Sequence, residues 1–95
     1  MSKPDKFAFR ISIETHDATG AIIAAYIRVR KGRVSSTKEH ANGNAMADYD
    51  ATGKLLGIEL IGPCKVQILD QIAQVPMVRR FVRSAVPRGM IAKAA

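Results

Sequence analysis

Five residues sit at the spacing of a calcium-binding loop. Asp48, Asp50, Thr52, Gly53 and Glu59 occupy positions one, three, five, six and twelve of that pattern, with Leu55 at the usual apolar eighth position. Carboxylate and hydroxyl oxygens at such spacing suit a hard cation. The surroundings argue against it. The loop needs a helix on each side, yet Asn42-Gly43-Asn44 precedes it and Gly57, Gly62 and Pro63 follow, with strand-like alternation between. No metal site is expected. His16, His40 and Cys64 lack the paired spacing of zinc ligands. His16 reads as a ring beside a turn, and Cys64 as a small buried hydrophobe. Ser35, Ser36 and Thr37 adjoin Lys38, Glu39 and His40, which are nucleophile and base types, but nothing there fixes their geometry. Gly53-Lys54 lacks the remainder of a phosphate loop. The expectation is a non-enzymatic protein without cofactor or identifiable small-molecule substrate.

Basic residues offer a second kind of chemistry. The formal net charge is +7. Between Pro63 and Ala95, six positive residues stand against one negative, Asp70. Such a field permits binding to nucleic acid but does not define a site. Tyr26, Arg28 and Arg30 alternate along one predicted strand face, with Lys31 and Arg33 in the adjoining turn. Such a row can stack bases and hold phosphates. Arg79, Arg80 and Arg83 add a basic helix face. The competing reading is a solvated charged edge that keeps the sheet from stacking on others. Aromatic residues are only 5% of the chain, which favours that second reading.

The elements that position these residues come from a repeat. Asp-Ala-Thr-Gly occurs at residues 17–20 and again at 50–53, each copy preceded by a ring residue, His16 or Tyr49. Two copies spaced by 33 residues are too few for a solenoid and read as a duplicated supersecondary unit. Asp opens a turn through its carboxylate, and Gly closes it in the left-handed region. Both copies are expected to be hairpin tips of the three-residue kind. Around the first, Phe7, Phe9, Ile11 and Ile13 alternate with polar or small residues, the period of a half-buried strand, as do Ile23, Ala25, Ile27 and Val29. Around the second, a weaker strand at 45–49 is followed by Leu56, Ile58 and Leu60. Residues 34–37 either extend a strand or form a short extra one, and 39–44 read as a loop.

After Gly62-Pro63 the period becomes helical. Val66, Leu69 and Ile72 mark one helix. Pro76 opens a second, whose Val78, Phe81, Val82 and Ala85 form an apolar stripe. Met77, Val78, Phe81, Val82 and Val86 suit packing on the chain's own sheet or on a partner's. The predicted fold is α+β: a β-meander of about four antiparallel strands in two hairpins, with one or two short C-terminal helices packed on the sheet. The chain reads as a single domain over 1–95, with hairpins in 7–62, helices in 64–87 and a flexible tail at 88–95.

Tyr26-Ile27-Arg28-Val29, Gly32-Arg33-Val34, Asp48-Tyr49-Asp50, Gly53 and Gly57-Ile58-Glu59 together resemble the domain of unknown function family 2283. Its small bacterial proteins carry a D-Y-D-x-x-G-x-L-x-G-I-E-like motif. The resemblance spans about Ile11 to Pro63 and implies a small, mostly β-meander domain with a helical addition. It implies no activity and no catalytic residues. This chain departs from the pattern at Ala24-Ala25.

Composition sets the remaining bounds. Apolar content of 47% and charged content of 24% are those of a globular domain. One cysteine cannot form an internal disulfide, which fits a reducing cytoplasm. Met1-Ser2-Lys3-Pro4-Asp5-Lys6 lacks the pattern of a signal peptide. No apolar run reaches the roughly 18 residues of a membrane span. A domain of this size has little stability in reserve, so an exposed apolar sheet face favours a homodimer. Protein contact or self-association is the expected role, and nucleic-acid-associated regulation is the alternative.

Overall fold

A computed structural model of the chain describes residues 6–92. The chain forms five strands, β1 (Arg10–Thr15), β2 (Ile22–Arg28), β3 (Ser36–His40), β4 (Ala45–Tyr49) and β5 (Leu55–Leu60), all but the polar β3 carrying apolar residues in alternation. Two helices follow, α1 (Val66–Ile72) and α2 (Pro76–Ala85). The architecture is α+β. The strands form one antiparallel sheet in the order β1-β2-β5-β4-β3. The extra strand beyond the expected four is β3, which takes in Glu39 and His40 from the segment expected to be loop. The two repeat hairpins lie side by side and join through β2 and β5. The 29–35 segment therefore crosses from β2 to the far edge, a Greek-key connection at that point.

Both Asp-Ala-Thr-Gly copies turn the chain, with Gly20 at φ 70 and Gly53 at φ 86, a region that Cβ-bearing residues enter only at a cost. The second copy is the expected three-residue loop. Asp50 donates its N–H to Lys54 O and accepts from Gly53 N, while its Oδ1 accepts from Thr52 N, Thr52 Oγ1 and Lys54 N. The first copy is wider by one residue. His16 pairs with Ala21, accepts from Gly20 N through its own carbonyl, and takes Ala18 N–H on Nδ1. His16 thus does in the first tip what Asp50 does in the second. The β3–β4 turn carries Ala41 at φ 53 and Asn42 at φ 55 ahead of Gly43.

Strand register places residues in rows across all five strands. On the helix-facing side one row is Ile11, Ile27, Ile58, Ala47, Lys38, and the next is Ile13, Ala25, Leu60, Ala45, His40. The middle three members of each row are fully buried. They pack with Leu69 and Ile72 of α1 and with Val78 and Val82 of α2. Removing the isoleucine, leucine and valine side chains among them from water stabilises the fold by about 1.5–3 kcal/mol each. Pro76 opens α2 at its first turn, where its missing N–H costs nothing. Arg79 caps the carboxyl end of α1, with Nε donating to Ala73 O at 3.1 Å and Nη2 to Asp70 O at 3.4 Å.

The expected flexible tail at 88–95 needs correction over its described part. Met90 is buried, its carbonyl accepts from Cys64 N, and Ile91 bridges Cys64 in parallel with Ala92 N donating to Cys64 O. The apolar Met90 and Ile91 anchor the segment against the core. Residues 93–95 lie outside the described residues, as do residues 1–5 of the charged N-terminal stretch. Among the described residues no helix is long and apolar enough to cross a membrane.

Candidate functional site

The sheet's open side carries two polar rows: Arg10, Arg28, Gly57, Asp48, Thr37, and Ser12, Tyr26, Glu59, Met46, Glu39. Gly57 leaves room for the Tyr26 ring, whose hydroxyl donates to Asp48 Oδ2 at 3.2 Å, while Thr37 Oγ1 donates to Asp48 Oδ1 at 2.7 Å. Burial first, then the charge and hydrogen bond of Asp48, push the Tyr26 phenol from 10.0 up to about 12. Between those values the folded chain holds a proton that the unfolded chain releases, so stability falls as pH rises through that window. In an alkaline absorbance titration, a late-ionising tyrosine is expected that disappears in Tyr26→Phe. A late-ionising step that survives in Tyr26→Phe, or its absence from the wild-type chain, would contradict it.

The basic candidates do not share one surface. Tyr26 and Arg28 face the open side, and Arg28 Nε donates to Ala8 O at 2.9 Å. Arg30 leaves that row. The Val29 and Arg30 N–H groups both donate to Leu56 O, the mark of a β-bulge, which re-aims the side chain. Arg30 Nη1 reaches Leu55 O at 2.7 Å and its guanidinium lies 4.8 Å from the Phe7 ring centre, on the helical side. Arg79, Arg80 and Arg83 share a groove on α2 with Pro76 and Ser84. Arg83 grips Asp70 with two hydrogen bonds and Arg79 approaches the same carboxylate at 3.8 Å. That contact holds the Asp70 carboxyl below its usual range and raises Arg83. Two of the three helical arginines are therefore held in a clamp between α1 and α2, on the layer away from Tyr26 and Arg28.

The calcium-like pattern is likewise dispersed. Asp48 accepts two hydroxyls on the open side, Asp50 is committed to its own turn, and Glu59 stands on β5 opposite Tyr26 and Met46. Among the described residues no three His, Cys, Asp or Glu side chains gather where they could hold a metal. Cys64 is buried, which pushes its thiol up. Burial lowers the His40 imidazole, aided by Lys38.

No protein-family model, curated protein or solved structure matches the chain. The two edges of the sheet differ. On the helix-facing side the β3 edge carries the exposed polar Ser36 and Lys38, with His40 partly buried at its end. The β1 edge ends in Ile11 and Ile13, exposed by 36% and 49%. The alternation that predicts β1 also predicts it half-buried, but its six residues are all exposed because the helices cover β2, β5 and β4 and stop short of it. Along β2 from Ala25, the partner of Ile13, the exposed Ile22 and Ile23 line a depression with Ile61, Pro63, Gly89 and Met90. This apolar end of the sheet is the site that sequence periodicity misplaced. A period of two reports which side a residue faces, not whether a second layer reaches it.

Proposed function

We propose that this chain is a non-enzymatic domain that works through self-association, burying the uncovered apolar end of its sheet. The carrying observation is the group of exposed isoleucines, Ile11, Ile13, Ile22 and Ile23, on the edge strand β1 and its neighbour β2, where water would otherwise meet apolar side chains. β1 contains no proline and pairs regularly with β2 from Arg10 to Glu14, shifting register only between Glu14 and Thr15, and such an edge is a template for pairing. The lone buried thiol suits a cytoplasmic setting. The resemblance to the domain of unknown function family 2283 belongs to this proposal on its motif alone and adds no activity.

Sedimentation velocity over two decades of concentration tests the reading. The wild-type chain is expected to shift from monomer to dimer, and Ile13→Lys to weaken the dimer by at least about tenfold, because a charge would have to be buried where an isoleucine sat. A wild-type chain that stays monomeric throughout, or an Ile13→Lys variant that associates unchanged, would refute it.

Nucleic-acid association is the second reading, favoured by the α2 groove of Arg79, Arg80 and Arg83. It is weaker because Asp70 holds two of those arginines and because the sheet candidates face the other way. Binding to generic duplex DNA and RNA across a salt series separates the two, since a phosphate-contacting surface loses affinity steeply with salt.

A further inference from the structure

We infer that the occupant of the β1 edge is β1 of a second copy, paired antiparallel about a two-fold axis through Ser12, so that two five-stranded sheets become one continuous sheet. This rests on the self-association reading and specifies its geometry.

Backbone direction comes first. Ala8 and His16 donate their N–H groups to Val29 and Ala21 of the β2 side. Alternation along the strand then turns the N–H and C=O groups of odd-numbered residues, Ile11 and Ile13 among them, outward. Among the described residues no strand takes them, since β1 is an edge of the sheet. A second β1 can pair there only in registers that set odd residues opposite odd residues.

Side chains choose among those registers. The segment Arg10-Ile11-Ser12-Ile13-Glu14 is self-complementary when read against itself. With Ser12 on the axis, Ile11 meets Ile13 of the other copy twice on the helix-facing side, and Arg10 meets Glu14 twice on the open side. With Ile11 on the axis, Arg10 meets Ser12 and Glu14 meets Ala8. With Ile13 on the axis, Glu14 meets Ser12 and Arg10 meets His16. Only the central register pairs both charges. Within its own chain Arg10 is placed opposite Arg28, a like-charge neighbour. Among the described residues neither Arg10 nor Glu14 has a side-chain hydrogen bond or ion pair. Opposite charges directly across a strand pair favour that register, and like charges disfavour it. A two-fold axis perpendicular to the sheet keeps each side of one copy continuous with the same side of the other, as a self-complementary interface requires. Ile11 and Ile13 of both copies are then brought together on the helical side.

Charge reversal and cross-linking test this geometry. Arg10→Glu and Glu14→Arg are each expected to weaken the homodimer at least about tenfold, because each sets like charges opposite one another twice. Mixing the two variants is expected to restore the dimer. One strand then carries a carboxylate at both positions and the other a guanidinium at both, so each cross-strand pair is again of opposite charge. Ser12→Cys is expected to oxidise to a covalent dimer through position 12, whereas Thr37→Cys on the opposite edge strand is not. Melting curves of all four variants confirm folding, since every altered side chain is exposed or at an edge. A wild-type dimer that neither mixing nor Ser12→Cys affects would overturn this register while leaving self-association standing. A monomeric wild type would overturn both.

Discussion

Replacing Ile58 by Ala is expected to lower the free energy of unfolding by about 2–5 kcal/mol, a large share of the roughly 5–15 kcal/mol of a typical domain. Ile58 is fully buried at the centre of β5, between Ile27 and Ala47 in its cross-strand row and beneath both helices. Its neighbour Ala47 is already small, so the space left by truncation has no larger side chain on that flank to relax into it. Denaturant melts read the effect as a lower midpoint with an unchanged slope. Ile11→Ala supplies the control. Ile11 lies in the same row, on the same side, but is 36% exposed, so in dilute monomer its loss should cost about 0.5 kcal/mol. Equal losses at the two positions would contradict the placement of the helical layer over β5 and short of β1.

Gly57→Val is expected to cost about 1–3 kcal/mol despite valine's preference for strands. A Cβ at this position would lie 2.3 Å from Tyr26 Oη, 2.6 Å from Tyr26 Cζ and 3.0 Å from the Ile27 carbonyl oxygen. The ring can swing away, but only by giving up its hydrogen bond to Asp48 and uncovering the strand beneath it. The Ile27 carbonyl belongs to the central β2–β5 ladder and cannot move freely. A double-mutant cycle with Tyr26→Ala separates these causes. If the ring is the main obstacle, Gly57→Val should cost much less in the Tyr26→Ala background. An unchanged cost would place the strain in the backbone, and no cost in either background would contradict the packing of Tyr26 on Gly57.

Much of this arrangement is legible in the chain, for local reasons. Asp-Ala-Thr-Gly turns are decided by residues within four positions of each other, so both tips and the strands beside them follow from sequence. The apolar stripe of Val78 and Val82 likewise reports a helix lying on a core. β3 is harder to read, because Ser36-Thr37-Lys38-Glu39-His40 has no apolar alternation. An outer strand with water on one flank does not need it. Arg30 illustrates a different limit. Strict alternation from Tyr26 and Arg28 puts it on the open side, but the bulge at Leu56 shifts the count by one and sends it to Phe7. The clamp of Arg79 and Arg83 on Asp70 depends on how two helices meet, which neither helix's own pattern contains. The same holds for Met90, whose burial depends on the distant Cys64. Ile11 and Ile13 show the same limit. Their pattern is that of a core strand, and only the extent of the helical layer leaves them exposed.

Amide hydrogen exchange at Ile11 and Ile13, read residue by residue at high and low protein concentration, addresses the proposed role of this edge most directly. These two N–H groups point away from β2, so in a monomer water reaches them freely. Association through β1 should slow their exchange strongly at high concentration, with the protection lost on dilution, while the inward-facing Ser12 stays protected at both. Fast, concentration-independent exchange at Ile11 and Ile13 in a sample that sediments as a dimer would show that the copies meet elsewhere.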